Sequence, residues 1–195
     1  MFKKENRFLW LLLGGLVVCI LVGLLLDPSF WGSATPTGEY HIQISEICAK
    51  NDSIIPDNTG KYRDYIELHN IGDRADLTGC RLTDGNVRSE PFQNLIMEKD
   101  SYRVIFLSKE TAGFALSATG GDSIQLQAPN GKIIAQAKVR SMLDDQVMIL
   151  KTGAYQLSSA PTPGFSNDNA GREAFLKGAA AQNSPLQILF GSGRF

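Results

Sequence analysis

The sequence predicts an all-β sandwich carried behind one N-terminal transmembrane helix, and three observations predict it. Nineteen uncharged residues run from Phe8 to Leu26 behind the basic start Met1-Phe-Lys-Lys-Glu-Asn-Arg7. From Tyr40 onward, short segments alternate apolar and polar residues at period two, which gives each one buried face and one wet face. Turn residues separate these segments every 8–15 residues or roughly so, with no convincing amphipathic helix between them, and that spacing belongs to a sandwich rather than to βαβ units.

The anchor comes first. A helix rises 1.5 Å per residue, so residues 8–26 span roughly 28 Å, close to the roughly 30 Å hydrocarbon core of a bilayer. The run holds no Asp, Glu, Lys or Arg. Lipid can therefore take its side chains while the helix satisfies its own backbone. Lys3, Lys4 and Arg7 on one flank and Asp27 on the other keep the N-terminus in the cytoplasm and send the remainder across. A cleaved signal peptide is the alternative. Its apolar region is usually about 7–15 residues and ends at a small-x-small site, whereas this run is longer and ends Leu24-Leu-Leu-Asp-Pro28. Gly32-Ser-Ala34 could be cut but lies well beyond the run. The division is a cytoplasmic tail at 1–7, a signal-anchor at 8–26 and a Pro-, Gly-, Ser- and Thr-rich linker at 27–39, with Phe30 and Trp31 at the lipid–water interface.

The outer part begins with a strand over His41–Cys48, with Ile42 and Ile44 pointing inward. Asn, Asp, Pro and Gly make 51–61 a loop. Asp64–Asn70 is a second strand and Leu77–Thr83 a third, followed by a turn at Asp84-Gly-Asn86. The continuous apolar run Tyr102–Leu107 suits a central strand. Asp122–Ala128 and Lys132–Val139 flank Pro129-Asn-Gly131, and Asn-Gly can adopt the positive φ of a tight hairpin. Gln146–Leu150 and Ala154–Leu157 complete the set. Residues 169–182 carry one short helix, and Gly191–Phe195 reads as unstructured.

Composition narrows the function. Net charge is −1, so no strong field recruits nucleic acid or anionic lipid to the outer part. Of the three cysteines, Cys19 lies in the apolar run, and Cys48 and Cys80 lie beyond it. In an oxidising compartment these two could bridge. Both also sit in strand-like apolar patterns, where a free Cys behaves as a small buried hydrophobe, and that is the preferred reading.

Candidate chemistry is sparse. Glu67 and His69 share one face of a strand while Asp64 faces the other way, and two ligands do not make a zinc site. Asp52, Asp57, Asn58, Asp84 and Asn86 lack the contiguous spacing of a Ca²⁺ loop and suit Asx turns. His41 and His69 are the only histidines, and no nucleophile elbow, zinc-protease motif or phosphate loop occurs. Asp144-Asp145 reads as a solvated turn. Lys132, Lys138, Arg140, Arg103 and Lys109 would form a nucleic-acid patch only if their strands were adjacent. No catalytic, cofactor-binding or metal-ligating residue is expected, and no cofactor.

The strand motifs Ile42-Gln-Ile-Ser-Glu-Ile47, Asp64-Tyr-Ile-Glu-Leu-His-Asn70 and Asp76-Leu-Thr-Gly-Cys-Arg-Leu-Thr-Asp84 resemble the lamin tail domain. So do Phe114-Ala-Leu-Ser117, Gly121-Asp-Ser-Ile-Gln-Leu126, Pro129-Asn-Gly131 and the closing Ala160-Pro-Thr-Pro-Gly-Phe-Ser-Asn167. The resemblance covers about Tyr40 to Asn167, and the domain is set at 40–168. It implies an immunoglobulin-like β-sandwich in which Glu67 and Asn70 are structural and hold loops through backbone hydrogen bonds. Cys80 stands where the family often has Trp, and Tyr65 and His69 replace other common aromatics. The chain has neither the sustained heptads nor the prenylation motif of nuclear lamins. It is similar instead to bacterial versions on secreted or membrane-tethered proteins, sometimes beside hydrolase or kinase-like domains.

The expected protein is thus a non-catalytic binding or structural module. It is anchored once in the plasma membrane with its C-terminal domain extracellular, and it meets an unknown protein or cell-surface partner through loops such as 51–61 and 84–94. One alternative is the remnant of a larger surface enzyme in which this is the accessory domain. Ser184-Pro-Leu-Gln-Ile188 resembles Tyr40-His-Ile-Gln-Ile44, so residues 169–195 are a candidate start of a truncated second repeat. A DNA-binding module is the second alternative, disfavoured by the scattered charges.

Overall fold

A computed structural model describes residues 39–181, and within them the fold is all-β with one short helix. The strands are β1 (Ile42–Cys48), β2 (Asp64–Asn70), β3 (Ala75–Asp76), β4 (Arg81–Thr83), β5 (Ile96–Met97), β6 (Tyr102–Leu107), β7 (Ser123–Gln127), β8 (Ile133–Lys138), β9 (Val147–Lys151) and β10 (Ala154–Ser158). The helix α1 spans Asn169–Ala181. The strands form a five-stranded sheet in the order β10-β9-β1-β2-β6, a three-stranded sheet β4-β7-β8 and a two-stranded pair β3-β5. All pairings are antiparallel.

One core is common to the two larger sheets. Ile44, Ile66 and Leu68 from the five-stranded sheet cluster with Leu82, Ile124 and Leu126 from the three-stranded one. Each such side chain, fully buried, contributes about 1.5–3 kcal/mol. The opposite face of the five-stranded sheet carries a second cluster, in which Cys48, Tyr65, Val104, Phe106 and Ile149 pack with Phe175 of α1. Burial on both faces explains why β1 and β2 are almost continuously buried and why β6 is apolar without a break from Val104 to Leu107.

Three expectations change. Tyr102–Leu107 is the last strand of its sheet rather than a central one. Its apolar run comes from cover on both faces, with Val104 and Phe106 in one cluster and Ile105 and Leu107 in the other. The third strand shortens to Arg81–Thr83, because the chain turns at Leu77–Cys80, where the Cys80 N–H donates to Leu77 O and Gly79 holds a φ of 81°. The pair β3-β5 was not anticipated. The expected hairpin does join β7 to β8. Its turn is closed by the Gly131 N–H donating to Ala128 O, and Gly131 rather than Asn130 takes the positive φ.

Cys48 and Cys80 are both free and buried, one in each cluster. Among the described residues no helix is long and apolar enough to cross a membrane. The anchor expected at 8–26, the tail at 1–7, nearly all of the linker and the stretch beyond Ala181 lie outside the described residues.

Candidate functional site

The chemistry of the domain gathers on the helix-covered face of the five-stranded sheet. A register shift between Ile44 and Glu46 breaks the period of β1. The extra residue lets Ser45 and Glu46 both reach the groups on this face, while Ile44 and Ile47 remain in the shared core. Glu46 and its β1–β2 neighbour Glu67 are both fully buried.

Two buried carboxyls need partners, and the closing segment 160–167 supplies them. Tyr65 Oη donates to Glu46 Oε1 at 2.5 Å, and Thr162 donates to Oε2 through both its N–H and its hydroxyl at 2.9 Å. Ser45 Oγ lies 2.7 Å from Glu67 Oε1, and the Gly164 N–H donates to Oε2. Asn167 Nδ2 donates to Ser45 O at 2.8 Å and to Leu150 O at 3.3 Å, which ties the segment across β1 and β9. Burial raises the pKa of both glutamates, and the charge of Glu46 raises Glu67 further. Hydrogen bonds from Tyr65 and Thr162 and the nearby Arg172 guanidinium oppose burial at Glu46, so of the two carboxyls Glu67 is the one raised further. Neutral Glu67 fits its surroundings, because the Ser45 hydroxyl also has the Glu67 backbone oxygen as an acceptor at 3.2 Å and can take the carboxyl proton in turn.

Beside this buried pair the same face opens into a cavity of about 330 Å³. Gln43, His69 and Tyr102 stand opposite one another on β1, β2 and β6 and form one row of its lining. His69 and Tyr102 stack, with ring centroids 4.1 Å apart and planes 10° from parallel. Lys151, Asn167 and Asp168 line it from the end of β9 and the closing segment. Burial lowers the His69 pKa, so the ring is neutral at pH 7. Burial likewise raises Tyr102, which stays a phenol. The Gly171 N–H holds Asp168 below the usual carboxylate range, with help from Ser166 and Lys151.

The other expected candidates separate. Asp64 turns from Glu67 and His69 and accepts from the Leu116 N–H at 2.8 Å, and burial pushes its carboxyl up to about 6. Asp57 and Asp84 serve as turn caps: Asp57 accepts from the Thr59 and Lys61 N–H groups and Asp84 from those of Asn86 and Val87. Among the described residues no three His, Cys, Asp or Glu side chains gather closely enough to hold a metal ion. Asp145 is more than a solvated turn, since it accepts from the backbone of Asp52 and Ser53 and pins the 51–61 loop. Arg103 lies on β6, whereas Lys138 belongs to β8 of the other sheet and Lys132 to the turn just before it, so their strands are not neighbours. Asn70 holds loops as expected, with Nδ2 donating to Asp73 O, Met97 O and Glu98 O.

Sequence reasoning missed Gln43, Glu46, Tyr102 and Thr162. A charge inside Ile-Ser-Glu-Ile-Cys was a legible signal for Glu46. The row Gln43–His69–Tyr102 depends on strand register, which no local pattern reveals. No protein-family model and no curated protein matches the chain.

Proposed function

We propose that the chain is a single-pass membrane protein displaying a non-catalytic binding module of lamin-tail type, an immunoglobulin-like β-sandwich, on the outer side of the plasma membrane. The observation that carries the module reading is the docking of the closing motif. The segments that resemble the family meet in space: Ile42–Ile47 pairs with Asp64–Asn70, and Ala160–Asn167 binds the glutamates of both. The oxygens of both glutamates are committed to internal hydrogen bonds, so the deepest carboxyls act in holding the fold rather than on a substrate. The apolar run 8–26 with its basic flank supports the anchor and its direction.

Protease treatment of intact cells expressing the chain with a C-terminal epitope tests this reading. Cleavage in the 27–39 linker is expected to strip the tagged domain from the membrane fraction without lysis. A tag that stays membrane-bound and intact until the cells are broken would overturn it.

A further inference from the structure

We propose that the cavity over Gln43, His69 and Tyr102 is a binding site for a neutral pyranose sugar. Its volume of about 330 Å³ lies at the lower end of the range of about 300–1,000 Å³ that small-ligand sites occupy. Three features select the ligand class. The first is the aromatic pair: His69 and Tyr102 stack in parallel, so each ring keeps one face free of the other. An aromatic face is electron-rich and attracts the weakly positive C–H groups that line one side of a sugar ring.

The second is spare neutral hydrogen-bonding capacity. Among the described residues neither the Gln43 amide nor the His69 ring nitrogens has a hydrogen-bond partner, although both residues are half-buried. A carboxamide brings two donors and an acceptor, and a neutral imidazole brings one of each. Vicinal hydroxyls, each a donor and an acceptor, match that set. The third is charge balance. Lys151 and Asp168 oppose each other at the rim, so the cavity has no surplus charge for an anion or a metal ion. An apolar ligand fits worse, because Leu150 is the only aliphatic side chain lining the cavity and the Gln43 amide would be left unpaired.

This assignment deepens the reading of the domain as a binding module and rests on it. Its test is independent of membrane topology, so either can fail while the other stands. Full-length protein in a detergent without a sugar headgroup is titrated with cellobiose and with chitobiose, read by saturation-transfer NMR, with sodium phosphate as the anionic comparison. Saturable binding of at least one disaccharide is expected, with Kd on the order of 1 mM. His69→Ala and Gln43→Ala are each expected to weaken it at least about tenfold, which is about 1.4 kcal/mol. Leu143→Ser in the exposed β8–β9 loop is expected to retain it. Thermal melts confirm that each variant folds. The proposal is overturned if neither disaccharide gives saturable transfer up to about 50 mM, if phosphate alone binds, or if folded His69→Ala and Gln43→Ala bind as the parent does.

Discussion

Glu67 holds a proton that the unfolded chain gives up. Its folded pKa stands well above the ordinary 4.5, chiefly through burial and secondarily through the charge on Glu46. The stabilisation is therefore complete below that ordinary value and is lost as pH rises through the folded one. Asp64 contributes in the same direction but only up to about 6, and His69, whose pKa is lowered, contributes the opposite slope below neutrality. Between about pH 7 and 8, above the range of Asp64 and His69 and below that of the unfolded thiols, the slope belongs mainly to the buried glutamate pair, and Cys48 and Cys80 add to it at higher pH. The parent melting temperature is expected to fall across that window, by about 2–4 °C for each kcal/mol lost. Glu67→Gln should flatten the fall, since an amide can give its NH₂ to Ser45 and its oxygen to the Gly164 N–H. Glu46→Gln should instead cost about 1–3 kcal/mol at every pH, because it removes one acceptor oxygen from among the Tyr65 and Thr162 donors. Parallel pH–melting profiles of the parent and both variants check this, and a Glu67→Gln profile as steep as the parent's would contradict it. At this scale the sequence was only partly legible. The face shared by Glu67 and His69 followed from strand period. The partners of both did not, because Thr162 and Gly164 lie about a hundred residues downstream.

The closing segment and α1 act as one element that seals the outer face of the sheet. Asp168 caps the helix by accepting from the Gly171 N–H at 2.7 Å, and Phe175 enters the second cluster with the Arg172 guanidinium 5.5 Å from its ring. Gly171 is required for a steric reason: a Cβ there would run into the backbone oxygen of Ser166. Asp168→Ala is expected to cost about 1 kcal/mol and Phe175→Ala about 3–5 kcal/mol. Hydrogen exchange should show faster exchange at residues 162–175 in both, with β2 and β7 still protected; uniform acceleration across all strands would refute a separable seal. The helix and the β7–β8 hairpin were legible because each carries its signal within a few residues. The pair β3-β5 was not, since two-residue strands have no period to detect. Leu77–Cys80 read as strand because its apolar residues are buried, yet Gly79 and the Leu77–Cys80 hydrogen bond make it a turn.

For the molecule as a whole, eight of the ten strands and the all-β character were readable from alternation and turn spacing. Their order was not. Nothing local in Tyr102–Leu107 distinguishes an edge strand covered on both faces from a central one. The proposed display of this domain outside the cell is what gives the sugar cavity and the 51–61 loop access to a partner, and the two cysteines among the described residues make a direct test convenient. Burial raises the Cys48 thiol to about 12 and the Cys80 thiol to about 11, and both are enclosed, so neither reacts with a polar reagent in the folded chain. Asn58 lies exposed in the 51–61 loop. The decisive measurement is labelling of an Asn58→Cys variant, made in a Cys19→Ser chain, in intact cells with a membrane-impermeant maleimide, with the Cys19→Ser chain alone as the background. The account predicts strong labelling of the variant before lysis, in a protein that sediments with membranes. Labelling that appears only after the cells are opened would contradict it.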